Sequence, residues 1–261
     1  MLKAFFSSAT GMRAQELLID NTANNLANVN TTGFKRSHVE FADIMYDVSK
    51  KPGAPTSDGQ MAPIGLQIGS GVRTVGTSLL WNQGTTIQTN QPTHLAIEGD
   101  GFFKVAMPGG TFAYTRDGSF HIDASGRLVT SAGHALEPGI TIPPDAQDIQ
   151  ISKTGEVSVS TGSTPPALIG TIQLFRFSNR GGLEQLGGNL LRETAASGPE
   201  LASTPGLNGM GTLQQRALEG SNVEVVAEMV NLITAQRAYE INSRAIRAGD
   251  EMLANTSQLL R

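Results

Sequence analysis

Residues 222–260 read NVEVVAEMVNLITAQRAYEINSRAIRAGDEMLANTSQLL and set Val225, Leu232, Tyr239, Ile246, Leu253 and Leu260 seven apart without a break. A seven-residue apolar repeat is the pattern of a helix that lies lengthwise on another helix. Residues 2–29 carry it too, with Phe5, Met12, Ile19 and Leu26 on one period and Leu2, Ala9 and Ala23 on its companion. No proline interrupts either arm. At about 1.5 Å per residue, the arms would be roughly 42 Å and roughly 55 Å long. Ser221 and Glu224 have the Ser-x-x-Glu spacing of a capping box, which places the start of the second helix at this point.

The seam does not hold such arms in order by itself. Burying the apolar residues of the second arm contributes on the order of 10 kcal/mol, whereas fixing its backbone costs ~1–2 kcal/mol per residue. More of each helix must be covered. Ala235, Ala238, Ala245 and Gly249 allow another helix to approach closely. Two arrangements answer the deficit: an intramolecular hairpin of the two ends, or a multi-helix layer built with neighbouring chains. The size of the deficit favours the second.

The middle of the chain is of another kind. Of 261 residues, 30 are glycine, only 16% are charged and only 5% aromatic, a composition of turns and short strands. Residues 44–70 hold Pro52, Pro55 and Pro63 among Gly53, Gly59, Gly65 and Gly69, which reads as an extended linker or loose hairpin. From Val72 to Glu200 the signals are strands. His94 to Met107 is an apolar run broken at Gly99-Asp100-Gly101. Ser119 to Thr130 reads as a hairpin around Asp123-Ala124-Ser125-Gly126, and Ile149 to Ser160 as another around Lys153-Thr154-Gly155. Ile169 to Phe177 reads as one further strand. The expected fold class is α+β: N- and C-terminal helices forming a coiled-coil layer, an extended linker or hairpin region, and a central all-β domain. The expected domains are 1–32 with 221–261, a connector over 33–71 with 203–220, and an outer β domain over 72–202.

Catalysis and cofactors find little support. There is no cysteine, which removes disulfides, thiolate zinc sites and thiol catalysis together. His38, His94, His121 and His134 are scattered without metal spacing. Asp117 and Asp123 do not fit a calcium loop, and turn chemistry accounts for both. Gly69-Ser70-Gly71 and Gly206 to Gly211 lack a complete phosphate-loop motif, and no nucleophile elbow occurs. Arg116-Asp117 and Arg237-Glu240 read as structural pairs. The net charge of -4 gives no basic face for nucleic acid. No apolar run approaches the ~20 residues of a membrane span. The start, Met1 to Ser8, lacks the continuous apolar core of a secretory signal. The expectation is a cytoplasmic chain or one exported without cleavage, with no catalytic, cofactor or metal site.

Five asparagines fall within residues 21–30. In a helix interior the amide competes for backbone partners; between helices it can bond across the contact and fix register. Gly33 permits a left-handed stop to the first helix, and Phe34 can anchor the exit. Asn24-Asn25-Leu26-Ala27-Asn28, followed by Thr31, Gly33, Phe34 and Lys35, closely resembles the signature of the bacterial flagellar rod and hook family. Leu232 to Ser243 is similar to that family's C-terminal motif, and Ala113 to Phe120 and Thr204 to Gly209 match its rod members in order.

The resemblance implies a structural subunit of the distal segment of the rod. Copies would self-assemble into a rigid helical tube that transmits torque to the hook and encloses the export channel. The stretch from Tyr46 to Gly65 is similar to an insertion thought to wedge between subunits and keep the tube straight. The assembly interface would comprise Phe5, Met12, Ile19, Asn24, Asn25, Leu26, Asn28, Val225, Leu232, Tyr239, Asn242, Ile246, Leu253 and Leu260. Implied partners are further copies of the chain, proximal rod proteins, the hook protein and the ring proteins of the outer envelope, with no nucleic acid and no membrane insertion. The implied place is the basal body in the periplasm, reached through flagellar type III export without a cleaved signal. Alternatives are another rod protein, a short hook protein, or a secreted glycan-binding β module with oligomerising helical arms.

Overall fold

A computed structural model describes residues 2–53, 63–162 and 165–259. The chain divides into two compact units. The first draws on the described residues within 1–27, 37–78 and 224–261, and the second on those within 28–36 and 79–223.

In the first unit, helix α1 (Leu2–Ala27) and helix α2 (Val225–Leu259) run antiparallel. A Cβ on Gly249 would stand 2.6 Å from the Phe5 ring, and one on Gly11 would stand 3.1 Å from the Asn242 amide nitrogen. Asn25 Nδ2 lies 3.4 Å from Glu228 Oε2, so partner numbers fall as α1 advances. Small residues let the backbones meet: Ala14 and Ala235 are both buried. The helix start differs from the capping-box reading. Asn222 donates to the carbonyls of Leu80 and Asn82 and accepts from the Arg36 N–H, which holds residues 221–223 extended. Helix α2 therefore begins at Val225, and the Ser221 hydroxyl accepts from the Val223 N–H instead.

Strand β1 (Ser37–Asp43) pairs with a strand spanning Val72–Leu79, and between them β2 (Asp47–Lys50) pairs antiparallel with β3 (Leu66–Ile68). The Val72–Leu79 strand is β4. Residues 54–62 of the proline-rich stretch lie outside the described residues.

The second unit is all β. Strands β5 (Thr86–Gln88), β6 (Leu95–Glu98), β7 (Phe103–Ala106), β8 (Phe112–Thr115), β9 (His121–Ile122), β10 (Leu128–Val129) and β11 (Ala135–Glu137) come first. Then follow β12 (Asp148–Ile151), β13 (Glu156–Ser160), β14 (Ala167–Thr171), β15 (Leu174–Arg176), β16 (Glu184–Gly187) and β17 (Leu190–Arg192). The last are β18 (Leu201–Ser203), β19 (Thr212–Gln215) and β20 (Ala217–Glu219). One sheet runs β16-β17-β8-β7-β11-β10-β9, another β12-β13-β14, and β19 pairs with β6 and β20 with β5.

Period-two alternation puts Phe103, Val105, Ala113 and Leu190 into a large aliphatic cluster. Phe102, Tyr114 and Leu191 enter a second, aromatic one with Phe175 and Phe177. The sheet through β7, β8 and β17 is thus covered on both faces.

Both hairpins read from the sequence are present, β9 with β10 and β12 with β13. Asp123 closes the first by accepting from the Ser125 and Arg127 N–H groups at 2.6 and 3.0 Å. The strand expected over Ile169 to Phe177 is broken in two. Buried Ile172 bonds to the Gly155 carbonyl, and β14 and β15 join different sheets. Within the connector or hairpin region over 203–220, Thr212–Gln215 and Ala217–Glu219 are strands, with Leu213, Ala217 and Leu218 buried.

Gly118 tests this packing. A Cβ there would overlap the Leu95 carbonyl oxygen, which is backbone and cannot swing aside. Gly118→Ala is expected to destabilise the β unit by roughly 3 kcal/mol. Urea denaturation followed by the fluorescence of Trp81, the sole tryptophan, measures it.

Candidate assembly site

The line of α2 turned towards α1 is Glu228, Ala235, Asn242 and Gly249, itself a seven-residue period but one built of small and polar groups. The apolar seam read from the sequence runs beside it. Val225, Leu232 and Ile246 are half-buried, Tyr239 and Leu253 are exposed, and Leu260 lies outside the described residues. On α1, Phe5, Met12, Ile19 and Leu26 are likewise half-buried, while Ala9 and Ala23 are exposed.

The side of α2 opposite its buried line is apolar at the start. Val226 is 70% exposed, and Met229, Val230 and Ile233 are 50%, 54% and 47% exposed. Farther along, the same side turns charged with exposed Arg237, Glu240 and Arg244. Glu240 lies 3.7 Å from Arg244, rather than pairing with Arg237. Isolated exposed apolar residues are ordinary, but a contiguous stripe on one helix marks a contact surface.

The asparagines divide their work. Asn25 accepts from the Ser37 N–H at 3.0 Å and donates to the Ser37 carbonyl at 2.9 Å, as a neighbouring strand would. Its amide also reaches Glu228 across the helix contact. Asn21 donates to the same carbonyl at 2.9 Å. Asn28 accepts from the Thr31 hydroxyl in the turn after α1, and Asn24 is exposed.

In the second unit the Gly33-Phe34-Lys35 segment is held by a buried charge cluster. Glu219, 1% exposed, accepts from Lys35 Nζ at 2.6 Å and from Arg116 Nε at 2.9 Å. Lys35 also donates to the Asn82 carbonyl, and Arg116 to those of Gly99 and Gly101. Burial lowers the Lys35 pKa below the ordinary lysine value, and its bond to Glu219 pulls it back up. Gly33 (φ +68°) lies well past the end of α1 and does not cap it. It lets the chain pass Asp117, whose N–H a Cβ would meet at 2.6 Å.

The sequence reading missed this cluster, pairing Arg116 with its neighbour Asp117. The available signal was slight, an acid, Glu219, directly after the apolar pair Ala217-Leu218. Asp117 instead holds a turn, accepting from the Ser119 N–H and from the Thr32 hydroxyl.

Among the described residues no group of three or more His, Cys, Asp or Glu side chains could hold a metal ion. His94 and His121, far apart in sequence, do come together with ring centroids 6.4 Å apart. Burial, then His121, lowers the His94 pKa. Tyr114 donates to Glu200 at 2.5 Å, and burial followed by that bond raises its pKa. Trp81 and Tyr114 both turn into the aromatic cluster rather than forming a platform for a sugar. No helix among the described residues is long and apolar enough to cross a membrane.

Three family models match in chain order. Residues 7–35 match the flagella basal body rod protein, residues 96–159 the flagellar hook protein FlgE/F/G D1 domain, and residues 214–259 the flagellar basal body rod FlgEFG protein C-terminal region. The chain is 47% identical over 264 residues to the flagellar basal-body rod protein FlgG of Borreliella burgdorferi, covering 100% of both chains. The chain belongs to the flagellar basal-body rod protein family. Its likeness to the FlgG of Caulobacter vibrioides is 46% over 260 residues, covering 99% of each chain, and to that of Bacillus subtilis 38% over 269 residues, covering 100% of each. Within the rod and hook family it stands with the distal rod, as a structural subunit of the basal body. The first and last matched segments hold the helix pair's two arms, and they also take in Lys35 and Glu219 of the charge cluster.

Glu219→Gln is expected to cost about 3–5 kcal/mol, because two buried cations lose their one counter-charge. The sign with pH follows from Lys35. With its folded pKa held below the ordinary value of 10.5, the unfolded chain binds more protons between the two values, so stability rises with pH there. Part of the loss in the variant is recovered on titrating upward towards that value, as read by denaturant midpoints across the alkaline range.

Proposed function

We propose that this rod protein polymerises into a rigid helical tube, the distal rod, in which the paired ends of each chain form a helical inner layer with those of its neighbours. The observation that carries the reading is the bare apolar stripe Val226, Met229, Val230 and Ile233, which faces away from α1. Such a contact joins one surface to a different surface on the next copy and propagates as an open helix. Phe5, Met12, Ile19, Leu26, Val225, Leu232, Tyr239, Ile246, Leu253 and Leu260 then complete their burial between chains with exposed Asn24 beside them, while Asn25 and Asn242 fix the register of α1 on α2 within the chain and Asn28 holds the turn after α1.

The tube transmits torque to the hook and encloses the export channel. Its further partners are the proximal rod proteins, the hook protein and the ring proteins of the outer envelope. The chain reaches the periplasm by flagellar export without a cleaved signal. The pairing of β2 with β3 fits the wedge reading of the Tyr46 to Gly65 stretch, since Tyr46, Val48 and Ile64 within it are 49%, 42% and 79% exposed.

The stripe is tested by Val230→Asp combined with Ile233→Asp. Both positions are exposed in the single chain, so the variant is expected to keep the wild-type Trp81 emission and monomer circular dichroism. It should form no tubes by electron microscopy, and normal tubes would overturn the assignment.

A second expectation concerns order. The α1–α2 contact is made largely of glycine, alanine and amides, which return little of the ~1–2 kcal/mol per residue spent on ordering. The helical signal of the solution chain should therefore rise on polymerisation. Equal helicity before and after would show that the arms are complete without neighbours.

A further inference from the structure

Residues 206–211 form a loop that assembly leaves without a task, closed by the Gly206 N–H on the Gly211 carbonyl at 2.9 Å. At its tip Leu207, Asn208, Gly209 and Met210 make a tight turn, in which the Met210 N–H donates to the Leu207 carbonyl at 2.9 Å. Asn208 and Gly209 stand at φ +52° and +74°, the left-handed pair that such a two-residue turn requires. Asn208-Gly209 is the one Asn-Gly step in the sequence. Both residues are exposed, and Leu207 beside them is 60% exposed.

An Asn-Gly step carries its own reagents. The backbone nitrogen after an asparagine can attack the side-chain carbonyl, and a glycine there, lacking a Cβ, leaves the approach open. Two observations favour that attack. The Gly209 N–H has no hydrogen-bond acceptor among the described residues. The Arg176 guanidinium lies beside the same residue, since a Cβ on Gly209 would meet Arg176 Nη1 at 3.1 Å. Among the described residues no carboxylate pairs with Arg176, so its charge is uncompensated. A cation beside a nitrogen that must lose its proton lowers the cost of that loss. The Met210–Leu207 bond, and the Ser203 hydroxyl that accepts from Asn208 Nδ2 at 3.1 Å, must loosen first, as exposed turns do.

We propose that Asn208 is a self-modification site, at which the chain deamidates through a cyclic imide with Arg176 assisting. The Gly209 nitrogen bonds to Asn208 Cγ, the bond from Cγ to the amide nitrogen breaks, and ammonia leaves with the proton that Gly209 gave up through solvent. Water then opens the ring. Addition at the side-chain carbonyl leaves aspartate, and addition at the main-chain carbonyl leaves isoaspartate, whose backbone runs through Cβ. Either product adds a negative charge to this turn. Isoaspartate also lengthens the main chain just ahead of buried Met210 and of Gly211, where a Cβ would already stand 2.4 Å from the Glu98 carbonyl oxygen. The pairing of β19 with β6, which starts at Thr212 and Glu98, is loosened by it. All of these residues belong to the second unit, so the reaction does not depend on assembly.

The test follows one peptide. The full-length chain is kept for weeks at neutral pH and digested with trypsin, which releases residues 193–216 with Asn208 as their only asparagine. That peptide should gain the mass of an amide turned acid and separate into two isomers on chromatography. Arg176→Gln should slow the gain by roughly three- to fivefold for the one charge lost, and Arg176→Lys should restore most of it. Wild-type Trp81 emission shows that each variant is folded. In concentrated urea, where positions 176 and 208 no longer meet, all three chains should react alike. A folded chain that keeps its amide at 208 overturns the site. Equal rates for the folded wild type and Arg176→Gln, or a difference between them that persists in urea, overturn the part given to Arg176.

Discussion

One buried carboxylate organises the second unit. Glu219 ends β20, Arg116 follows β8, and Lys35 lies on the segment after α1, and the three meet with no water between Glu219 and either cation. Such an arrangement returns little net stability, because desolvating three ions consumes most of the attraction between them. What it does supply is selectivity. Residues 33–36 follow the path on which Lys35 reaches both Glu219 and the Asn82 carbonyl. Asn222 extends the same logic, spending its amide on two carbonyls and on the Arg36 N–H.

The helix pair follows a different rule. Close approach at Gly11, Ala14, Ala235 and Gly249 brings backbones together without large apolar side chains between them. The bulky apolar residues are thereby left on the flanks and outer side of α2. A helix whose inner line is small and polar, and whose outer side begins apolar, is arranged for more than one neighbour. In the proposed tube, that outer side would meet a neighbouring chain.

Much of this was legible in the sequence. The arms read as 2–29 and 222–260 are helices Leu2–Ala27 and Val225–Leu259, because a sustained seven-residue period has no competing reading. Hairpins marked by Asp123 to Gly126 and by Lys153 to Gly155 announced themselves through turn chemistry. Which line of α2 meets α1 was not legible. Hydrophobic periodicity locates greasy residues, whereas Glu228, Asn242 and Gly249 are turned inward for their hydrogen bonds or their size. The strands β19 and β20 were hidden behind the glycines of residues 206–211. The partnership of Arg116 with Glu219 spans 103 residues and leaves no local trace.

The grip of Asn25 on Ser37 carries a last consequence. A side-chain amide that engages both backbone polar groups of one residue imitates the next strand of a ladder while belonging to a helix. It therefore terminates β1 at that point and denies an intruding polypeptide its first rung. A two-stranded sheet is vulnerable to wrong partners during folding in a crowded place, and here a single asparagine serves as a doorstop.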